Sequence, residues 1–182
     1  MTEDLENRLQ KIKILICDLD GVFTDGSLYV GSGGNEMKRF HVLDGAGVAL
    51  LRAIGFPLAV ISGRGSEASS QRMREIGLEK NFYQGNLAKI EPYMKIKEKY
   101  GVEDAEIAYV GDDLVDIPLM RRVGVPMAVA NALPEVKQNA LYVSKVAGGQ
   151  GAVREIIELI LRAQHRYREA VDRLAQHTYK DT

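Results

Sequence analysis

The sequence predicts an α/β fold, a Rossmann-like parallel sheet with helices on both faces, and two observations support this fold class. Short apolar segments rich in β-branched residues alternate with segments of helical periodicity, which is typical of parallel strands joined by crossover helices. Helix signals also fall between the strands, since Ser66 is a suitable start and Gly77 a suitable stop. The predicted strands cover residues 13–17, 57–61, 106–110, 126–130 and 140–143. The predicted helices cover residues 45–54, 66–76, 88–100, 114–123 and 134–139.

One segment, residues 27–42, breaks the alternation and predicts a β-hairpin. Two strand-like stretches flank the sequence Gly-Ser-Gly-Gly-Asn at residues 31–35. Because the hairpin begins directly after the loop at Asp18, we expect it to project over that loop or away from the sheet. Near the C-terminus, apolar residues follow helical spacing over residues 153–161 and again over 167–174. This region is either a packed helix followed by a solvated extension or a helix that contacts a partner.

Length and composition limit the function classes. The 182 residues allow a sizeable core, so we expect a single domain over residues 1–182 with a C-terminal helix and tail at 152–182. The net charge of -1 gives no general argument for binding nucleic acid, and no apolar stretch is long enough to span a membrane. One cysteine excludes an internal disulfide, and the acidic start does not resemble a signal peptide, so we expect a cytoplasmic protein.

Two aspartates, Asp18 and Asp20, follow the first predicted strand and precede Gly21. Ligands of parallel α/β sheets bind at the carboxyl ends of strands, where two carboxylates can hold a hard cation against a phosphate. An ionised aspartate can attack phosphorus, and a second carboxyl group can protonate the leaving oxygen and later deprotonate water. The alternative is that both residues only form a turn or cap a helix.

A second acidic cluster, Asp112, Asp113 and Asp116, follows the strand predicted at 106–110. Asp112 or Asp113 could cap the helix that starts at Leu114, but three aspartates in five positions are more than capping requires. Two acidic strand ends of one sheet can converge on one Mg²⁺, which prefers carboxylate oxygens, waters and a substrate phosphate.

Ser62, Gly63, Arg64 and Lys89 are candidate phosphate or substrate contacts. The Ser62 hydroxyl and the Gly63 amide end the second predicted strand beside a helix N-terminus, although a plain strand-to-helix turn would use the same residues. Lys89 near a helix start opposes the macrodipole, but by itself a surface position is the simpler interpretation. Cysteine-phosphatase, zinc-site and nucleotide-loop motifs are absent from the sequence.

Asp18-x-Asp20, Ser62, Lys89 and Gly111-Asp112-Asp113 occur in the order of the four motifs of the haloacid dehalogenase superfamily of phosphotransferases, which the chain resembles. No long insertion separates these motifs, so the resemblance implies a capless protein. Within the superfamily, the chain is similar to the 3-deoxy-D-manno-octulosonate 8-phosphate phosphatase family. The stretches that carry this similarity are residues 18–26, 40–45, 61–64, 111–116 and 148–155.

The resemblance implies a Mg²⁺-dependent phosphatase that hydrolyses 3-deoxy-D-manno-octulosonate 8-phosphate to the free sugar acid and phosphate through an aspartyl-phosphate intermediate. Such a product would feed lipopolysaccharide synthesis in the cytoplasm of a Gram-negative type of cell. The family is homotetrameric, and a hairpin from each subunit, here residues 27–42, helps to close a neighbour's site. By the same resemblance, Asp18 is the nucleophile and a magnesium ligand. Asp20 is the general acid/base, with its backbone carbonyl on the metal, and Asp112 is the remaining carboxylate ligand.

Ser62 and Lys89 resemble the family's phosphate binders, and Arg64 resembles a contact to the substrate. A sibling family that hydrolyses a nine-carbon sialic-acid-like phosphate tends to have glutamate at the position of Arg64, which favours the eight-carbon substrate here. Leu43 and Gln150 depart from the basic residues that are common at their positions, and both departures could alter contacts to the sugar acid.

Two other classes of protein gather similar residues. A signalling receiver domain also places aspartates and a lysine around magnesium, but its phosphoacceptor ends a central strand, whereas the strand predicted at 57–61 leads into Ser62. A non-catalytic phosphatase-like oligomerisation module is the second alternative, and the intact motifs argue against it.

Overall fold

The computed structural model describes residues 2–178, and within this range it has eight strands and eight α-helices. The strands are β1 (Ile14–Asp18), β2 (Tyr29–Val30), β3 (Glu36–Met37), β4 (Leu58–Ser62), β5 (Phe82–Gln84), β6 (Ile107–Gly111), β7 (Val125–Ala128) and β8 (Tyr142–Val143). The helices are α1 (Glu3–Leu9), α2 (Val42–Ala53), α3 (Glu67–Glu75), α4 (Ile90–Tyr100), α5 (Ile117–Met120), α6 (Pro134–Gln138), α7 (Ala152–Ala163) and α8 (Tyr167–Thr178).

Six strands form one parallel sheet in the order β5-β4-β1-β6-β7-β8. Every residue of β1, β4 and β6 is buried, so both faces of the sheet are covered at its centre. Near-continuous apolar sequences are what such doubly covered strands require. The predicted α/β fold class is therefore confirmed.

The predicted helix ends are confirmed at α3 and corrected elsewhere. Ser66 caps α3 by accepting a hydrogen bond from the Ser69 amide, and Gly77 follows the helix with a φ of +75°. The helix predicted at 114–123 is instead a 3₁₀ turn, Leu114–Asp116, followed by α5, which ends at Met120. Strand β5 was not predicted because its three residues are only half-buried or exposed and lack a continuous apolar pattern.

The predicted hairpin forms, with shorter strands than expected. Strands β2 and β3 pair antiparallel over two residues each, and an isolated bridge joins Thr24 to Phe40. The second strand does not extend to Val42, because His41 caps α2 by accepting a hydrogen bond from the Leu43 amide. The chain therefore passes from the hairpin directly into a helix that packs against α7 and α8.

The C-terminal region consists of two packed helices. Five large apolar residues of α7 have no solvent exposure, and His165, at a φ of +56°, separates α7 from α8. Ala170 on α8 is fully buried, and Tyr167, Val171 and Leu174 pack against the core. The expected solvated extension is thus wrong for residues 167–174, and residues 179–182 lie outside the described residues. Within residues 2–178, no helix is long and apolar enough to cross a bilayer.

Candidate active site

Three neighbouring strands deliver the candidate residues to one edge of the sheet. Asp18 ends β1, Ser62 ends β4 and Gly111 ends β6, directly before Asp112. A cavity of about 270 Å³ opens at this edge. Six of the residues predicted from sequence line it, namely Asp18, Asp20, Gly63, Arg64, Lys89 and Asp112. The seventh, Ser62, is buried beside the cavity, and its Oγ lies 3.0 Å from the Arg64 carbonyl oxygen and 3.3 Å from Asp20 Oδ2.

The loop after β1 turns tightly enough to place Asp20 beside Asp18. Thr24 Oγ1 accepts hydrogen bonds from the amides of Gly21 and Gly26, at 3.1 and 3.2 Å. Gly21 has a φ of +91°, and a Cβ atom at this position would lie 1.9 Å from Asp112 Oδ2. Only glycine therefore permits both this turn and the approach of Asp112.

Lys89 is buried between two carboxylates rather than exposed on the surface. It is 3% exposed and donates hydrogen bonds to Asp18 Oδ1 and, at 2.6 Å, to Asp116 Oδ1. The simple surface interpretation of Lys89 is therefore wrong. The residue lies just before α4, so the lysine approaches the cavity from the neighbouring crossover rather than from the β1 loop.

Asp116 is the residue of the site that sequence reasoning placed in a cluster but gave no role. It is fully buried and accepts four hydrogen bonds. Oδ1 accepts from Lys89 and from the Tyr109 hydroxyl, both at 2.6 Å, while Oδ2 accepts from the amides of Asp112 and Asp113 at 2.9 and 3.2 Å. Both of its oxygens are thus occupied, so its function in this structure is to hold Lys89 and the loop after β6. The capping role considered for Asp113 is also present, since it accepts a hydrogen bond from the Leu114 amide.

The carboxylates of the site leave an arrangement suited to a cation. Oxygens of Asp18, Asp112 and Asp116 lie within 4.8 Å of one another, and Asp112 Oδ1 is buried with no hydrogen-bond partner among residues 2–178. Because Asp116 is already saturated, Asp18 and Asp112 are the members of this group that fit a metal. Three close carboxylates with one unpaired buried oxygen need additional positive charge, which a divalent cation bound by oxygen ligands would provide.

The raised pKa values of Asp18 and Asp112 also indicate that the site lacks positive charge. Burial, followed by the charge of Asp116, raises the pKa of Asp112 to about 7. Burial also raises the pKa of Asp18 well above its ordinary value, and Lys89 only partly opposes this effect. Close carboxylates in a buried place disfavour one another's ionised forms. A bound cation would reverse that balance and keep both groups ionised.

The hairpin contacts the site of its own chain, which is the first of the two orientations expected from the sequence, projection over the loop at Asp18. Lys38 Nζ lies 2.6 Å from Asp20 Oδ1. Glu36 accepts hydrogen bonds from Arg64 at 2.9 Å and from the Ser66 hydroxyl at 2.6 Å. The sequence signal for these contacts was the alternation of charged Glu36 and Lys38 around Met37, because residues two apart in an extended chain lie on one side of it.

A glycine-rich segment before α7 supports the loop after β1. The Gly149 amide donates to the Val22 carbonyl at 3.1 Å, and the Gly148 amide donates to Asn131 Oδ1 at 2.7 Å. A Cβ atom on Gly148 would lie 1.7 Å from the Gly21 carbonyl oxygen, so the two backbones could not approach with any larger residue. Gln150, one of the two departures from the family pattern, accepts a hydrogen bond of 3.5 Å from Arg39.

Comparison with known proteins identifies the family. Residues 65–157 match the model of the haloacid dehalogenase-like hydrolases. The chain belongs to this family. It is also 40% identical over 164 residues to a 3-deoxy-D-manno-octulosonate 8-phosphate phosphatase of Yersinia pestis, an alignment that covers 90% of this chain and 87% of that protein. The resemblance inferred from the motifs is confirmed.

Solved structures support the same relationship. A haloacid dehalogenase superfamily (subfamily III A) hydrolase from Legionella pneumophila superposes with a TM-score of 0.92 at 42% identity, covering 95% of this chain and 94% of that one. A 3-deoxy-D-manno-octulosonate 8-phosphate phosphatase from Moraxella catarrhalis superposes with a TM-score of 0.89 at 34% identity, covering 94% and 98%. The Moraxella protein was solved in complex with a magnesium ion, a phosphate ion and a KDO molecule.

Proposed function

We propose that this protein is a Mg²⁺-dependent phosphatase that hydrolyses 3-deoxy-D-manno-octulosonate 8-phosphate to the free sugar acid and inorganic phosphate. The observation that carries the proposal is that Asp18, Asp20, Lys89 and Asp112 line one cavity, and that a buried oxygen of Asp112 has no hydrogen-bond partner in the described part of the chain. The names of the relatives in Yersinia and Moraxella support the substrate.

The proposed reaction takes place in two steps at Asp18. In the first, a carboxylate oxygen of Asp18 bonds to phosphorus, the bond to the sugar oxygen breaks, and Asp20 donates a proton to that oxygen. In the second, water attacks the aspartyl-phosphate, Asp20 takes the proton of the water, and Asp18 is released. Asp20 suits both roles because its side chain is a quarter exposed, whereas that of Asp18 is almost fully enclosed.

The phosphate group is held by positive and neutral donors of the chain. Lys89 stays charged between its two carboxylates. Because it contacts Asp18, it is placed to donate a hydrogen bond to the oxygens of a phosphoryl group bound there. Ser62 and Gly63 offer a hydroxyl and an amide from the end of β4. Asp18, Asp112 and the backbone carbonyl of Asp20 would hold Mg²⁺, which when bound neutralises charge on the phosphoryl group.

Arg64 is proposed to bind the carboxylate of the sugar acid. Its side chain is half exposed at the rim of the cavity and is paired with Glu36, so its guanidinium is already directed toward the hairpin side of the opening. Arginine binds carboxylates in a planar, two-point geometry, which suits an acid sugar. An eight-carbon substrate would thus extend from Asp18 toward Arg64.

The assembly is proposed to be a cytoplasmic homotetramer that serves lipopolysaccharide precursor synthesis. Large apolar residues are exposed on the hairpin and its flanks, with Val30 at 70%, Met37 at 67% and Val42 at 79%. A two-stranded hairpin is marginal alone in water, so a neighbouring subunit is the simplest surface to cover these residues.

The test is release of inorganic phosphate from sugar phosphates of six, eight and nine carbons, with EDTA, with Mg²⁺ and with Ca²⁺. We expect turnover on the eight-carbon acid with Mg²⁺, none with EDTA, and poor turnover with Ca²⁺, whose looser coordination displaces the phosphoryl group from the line of attack. Asp18→Asn serves as the matched control.

Each alternative has its own outcome in this assay. A preference for the nine-carbon substrate would assign the protein to the sibling activity. Absence of turnover on every sugar phosphate, with Mg²⁺ bound and the protein folded, would favour a non-catalytic oligomerisation module.

A further inference from the structure

Two charged side chains of the hairpin, Glu36 in β3 and Lys38 directly after this strand, contact the site of their own chain. Glu36 and Lys38 both contact residues of the site, whereas Met37 between them is 67% exposed. The side chain of Lys38 has no solvent exposure. A lysine so fully enclosed loses hydration and therefore needs a partner of opposite charge.

That partner is Asp20. Lys38 Nζ lies 2.6 Å from Asp20 Oδ1, and Ser62 Oγ, which also lies 3.0 Å from the Arg64 carbonyl oxygen, is 3.3 Å from Asp20 Oδ2. The Lys38 contact is the shorter of the two and engages Oδ1, so it holds this oxygen toward the hairpin. Oδ2, beside the end of β4, is the oxygen that can carry the transferred proton.

Glu36 holds β3 in the position from which Lys38 reaches the site. Its two oxygens bond separately to Arg64, at 2.9 Å, and to the Ser66 hydroxyl, at 2.6 Å. Lys38 Nζ also lies 3.5 Å from Glu36 Oε1. The hairpin is therefore attached to the segment after β4 on one side and to the loop after β1 on the other.

We propose that Lys38 is a positioning residue that orients the carboxyl group of Asp20 for proton transfer to the leaving oxygen, a role that rests on the proposed function. When phosphorus bonds to Asp18, the bond to the leaving oxygen breaks, and that oxygen takes the proton of Asp20. An alkoxide is a poor leaving group and requires this proton, whereas p-nitrophenolate leaves as a stable anion without it. Loss of Lys38 should therefore affect the two kinds of substrate unequally.

The test compares kcat/KM of wild type and Lys38→Met on three substrates: 3-deoxy-D-manno-octulosonate 8-phosphate, glycerol 3-phosphate and p-nitrophenyl phosphate. This ratio covers the reaction through the first phosphoryl transfer, so the later hydrolysis of the aspartyl-phosphate does not contribute to it. We expect a loss of roughly 100-fold on both alkyl phosphates and of less than about 3-fold on p-nitrophenyl phosphate. Lys80→Met, which removes an exposed lysine that does not line the cavity, is the matched control and should change none of the three values.

The outcomes separate this proposal from the proposed function. Equal losses on all three substrates, or no loss on any, would overturn the role of Lys38. A loss confined to the eight-carbon acid would make Lys38 a substrate contact and would also overturn it. A wild-type enzyme that accepts glycerol 3-phosphate but not the eight-carbon acid would overturn the substrate assignment alone, and one inactive on all three would overturn both. Lys38→Gln, which keeps a polar end in the same place, replaces Lys38→Met if circular dichroism shows that the latter does not fold.

Discussion

Lys89 Nζ lies 2.6 Å from Asp116 Oδ1, and the same ammonium group also donates a hydrogen bond to Asp18. Burial alone would lower the pKa of Lys89, but the charges of Asp18 and Asp116 outweigh it, and the pKa is raised. Lys89 is therefore charged at neutral pH, as a phosphate-binding role requires. Asp116 supports the site by fixing this charge from behind the cavity.

Replacing Asp116 should weaken both activity and stability. In Asp116→Asn one acceptor oxygen becomes an amide, so either the Lys89 and Tyr109 pair or the two backbone amides lose their acceptor. A buried donor left without a partner costs about 1–3 kcal/mol, and we expect the free energy of unfolding to fall by about that amount. Urea denaturation measures this loss, and phosphate release should fall in parallel because Lys89 is no longer held.

Asp113→Asn is the matched control for Asp116→Asn. Asp113 lies in the same loop but is exposed, and an asparagine there can still accept the hydrogen bond from the Leu114 amide. Its free energy of unfolding should stay within about 0.5 kcal/mol of wild type. Similar destabilisation by both substitutions would contradict the special role of Asp116.

Asp18→Asn should abolish turnover without unfolding the protein. The substitution keeps the shape of the side chain and removes the attacking charge, so we expect turnover to fall at least about a thousandfold. Because burial raises the pKa of Asp18, its ionised form is costly in the metal-free protein, and the melting temperature should not decrease greatly. Near-normal turnover in this variant would be incompatible with Asp18 as the nucleophile.

The residues that sequence predicted best are those placed by strand ends. Asp18, Ser62 and Asp112 each follow or end a central strand, and adjacent parallel strands bring their carboxyl ends to one edge. No side-chain contact has to be known for this prediction, since the order of apolar segments and the positions of the polar residues suffice.

Asp116 and Lys38 could not be given roles from sequence because their positions depend on chain reversals. One 3₁₀ turn brings Asp116 back against the end of β6. A Cβ atom on Gly111 would lie 2.4 Å from the Cβ atom of Asp116. Lys38 reaches Asp20 across a hairpin whose orientation is set by Glu36 and the segment after β4. The periodicity of a sequence predicts which residues share one face of a strand. It does not predict which other element of the fold that face packs against.

Mg²⁺ binding should depend on pH through Asp112. Its pKa rises from an ordinary value of 3.8 to about 7 in the metal-free fold, so between these values the native state binds more protons than the unfolded state. The contribution of this group to stability therefore falls as pH rises across that interval. Above it, Asp112 is ionised in both states and is free to bind a cation.

Thermal unfolding with and without Mg²⁺ tests this dependence. Because the metal competes with a proton, the rise in melting temperature caused by Mg²⁺ should be larger at about pH 8 than at about pH 6. Asp112→Asn should lose most of the rise at both pH values. An equal rise at both pH values in the wild type would show that Asp112 does not titrate against the metal.

Shortening the hairpin at residues 31–35 should leave the core folded but weaken substrate binding and subunit assembly. This loop is exposed and lies outside the core, so far-UV circular dichroism should change little. Without it, β2 and β3 lose the turn that pairs them, and both the exposed apolar residues and the contact from Lys38 to Asp20 are disturbed. We expect a higher KM for the sugar phosphate and a smaller assembly by light scattering. If the wild-type protein is instead an active monomer, closure must be achieved within one chain, and Glu36 and Lys38 already provide such contacts.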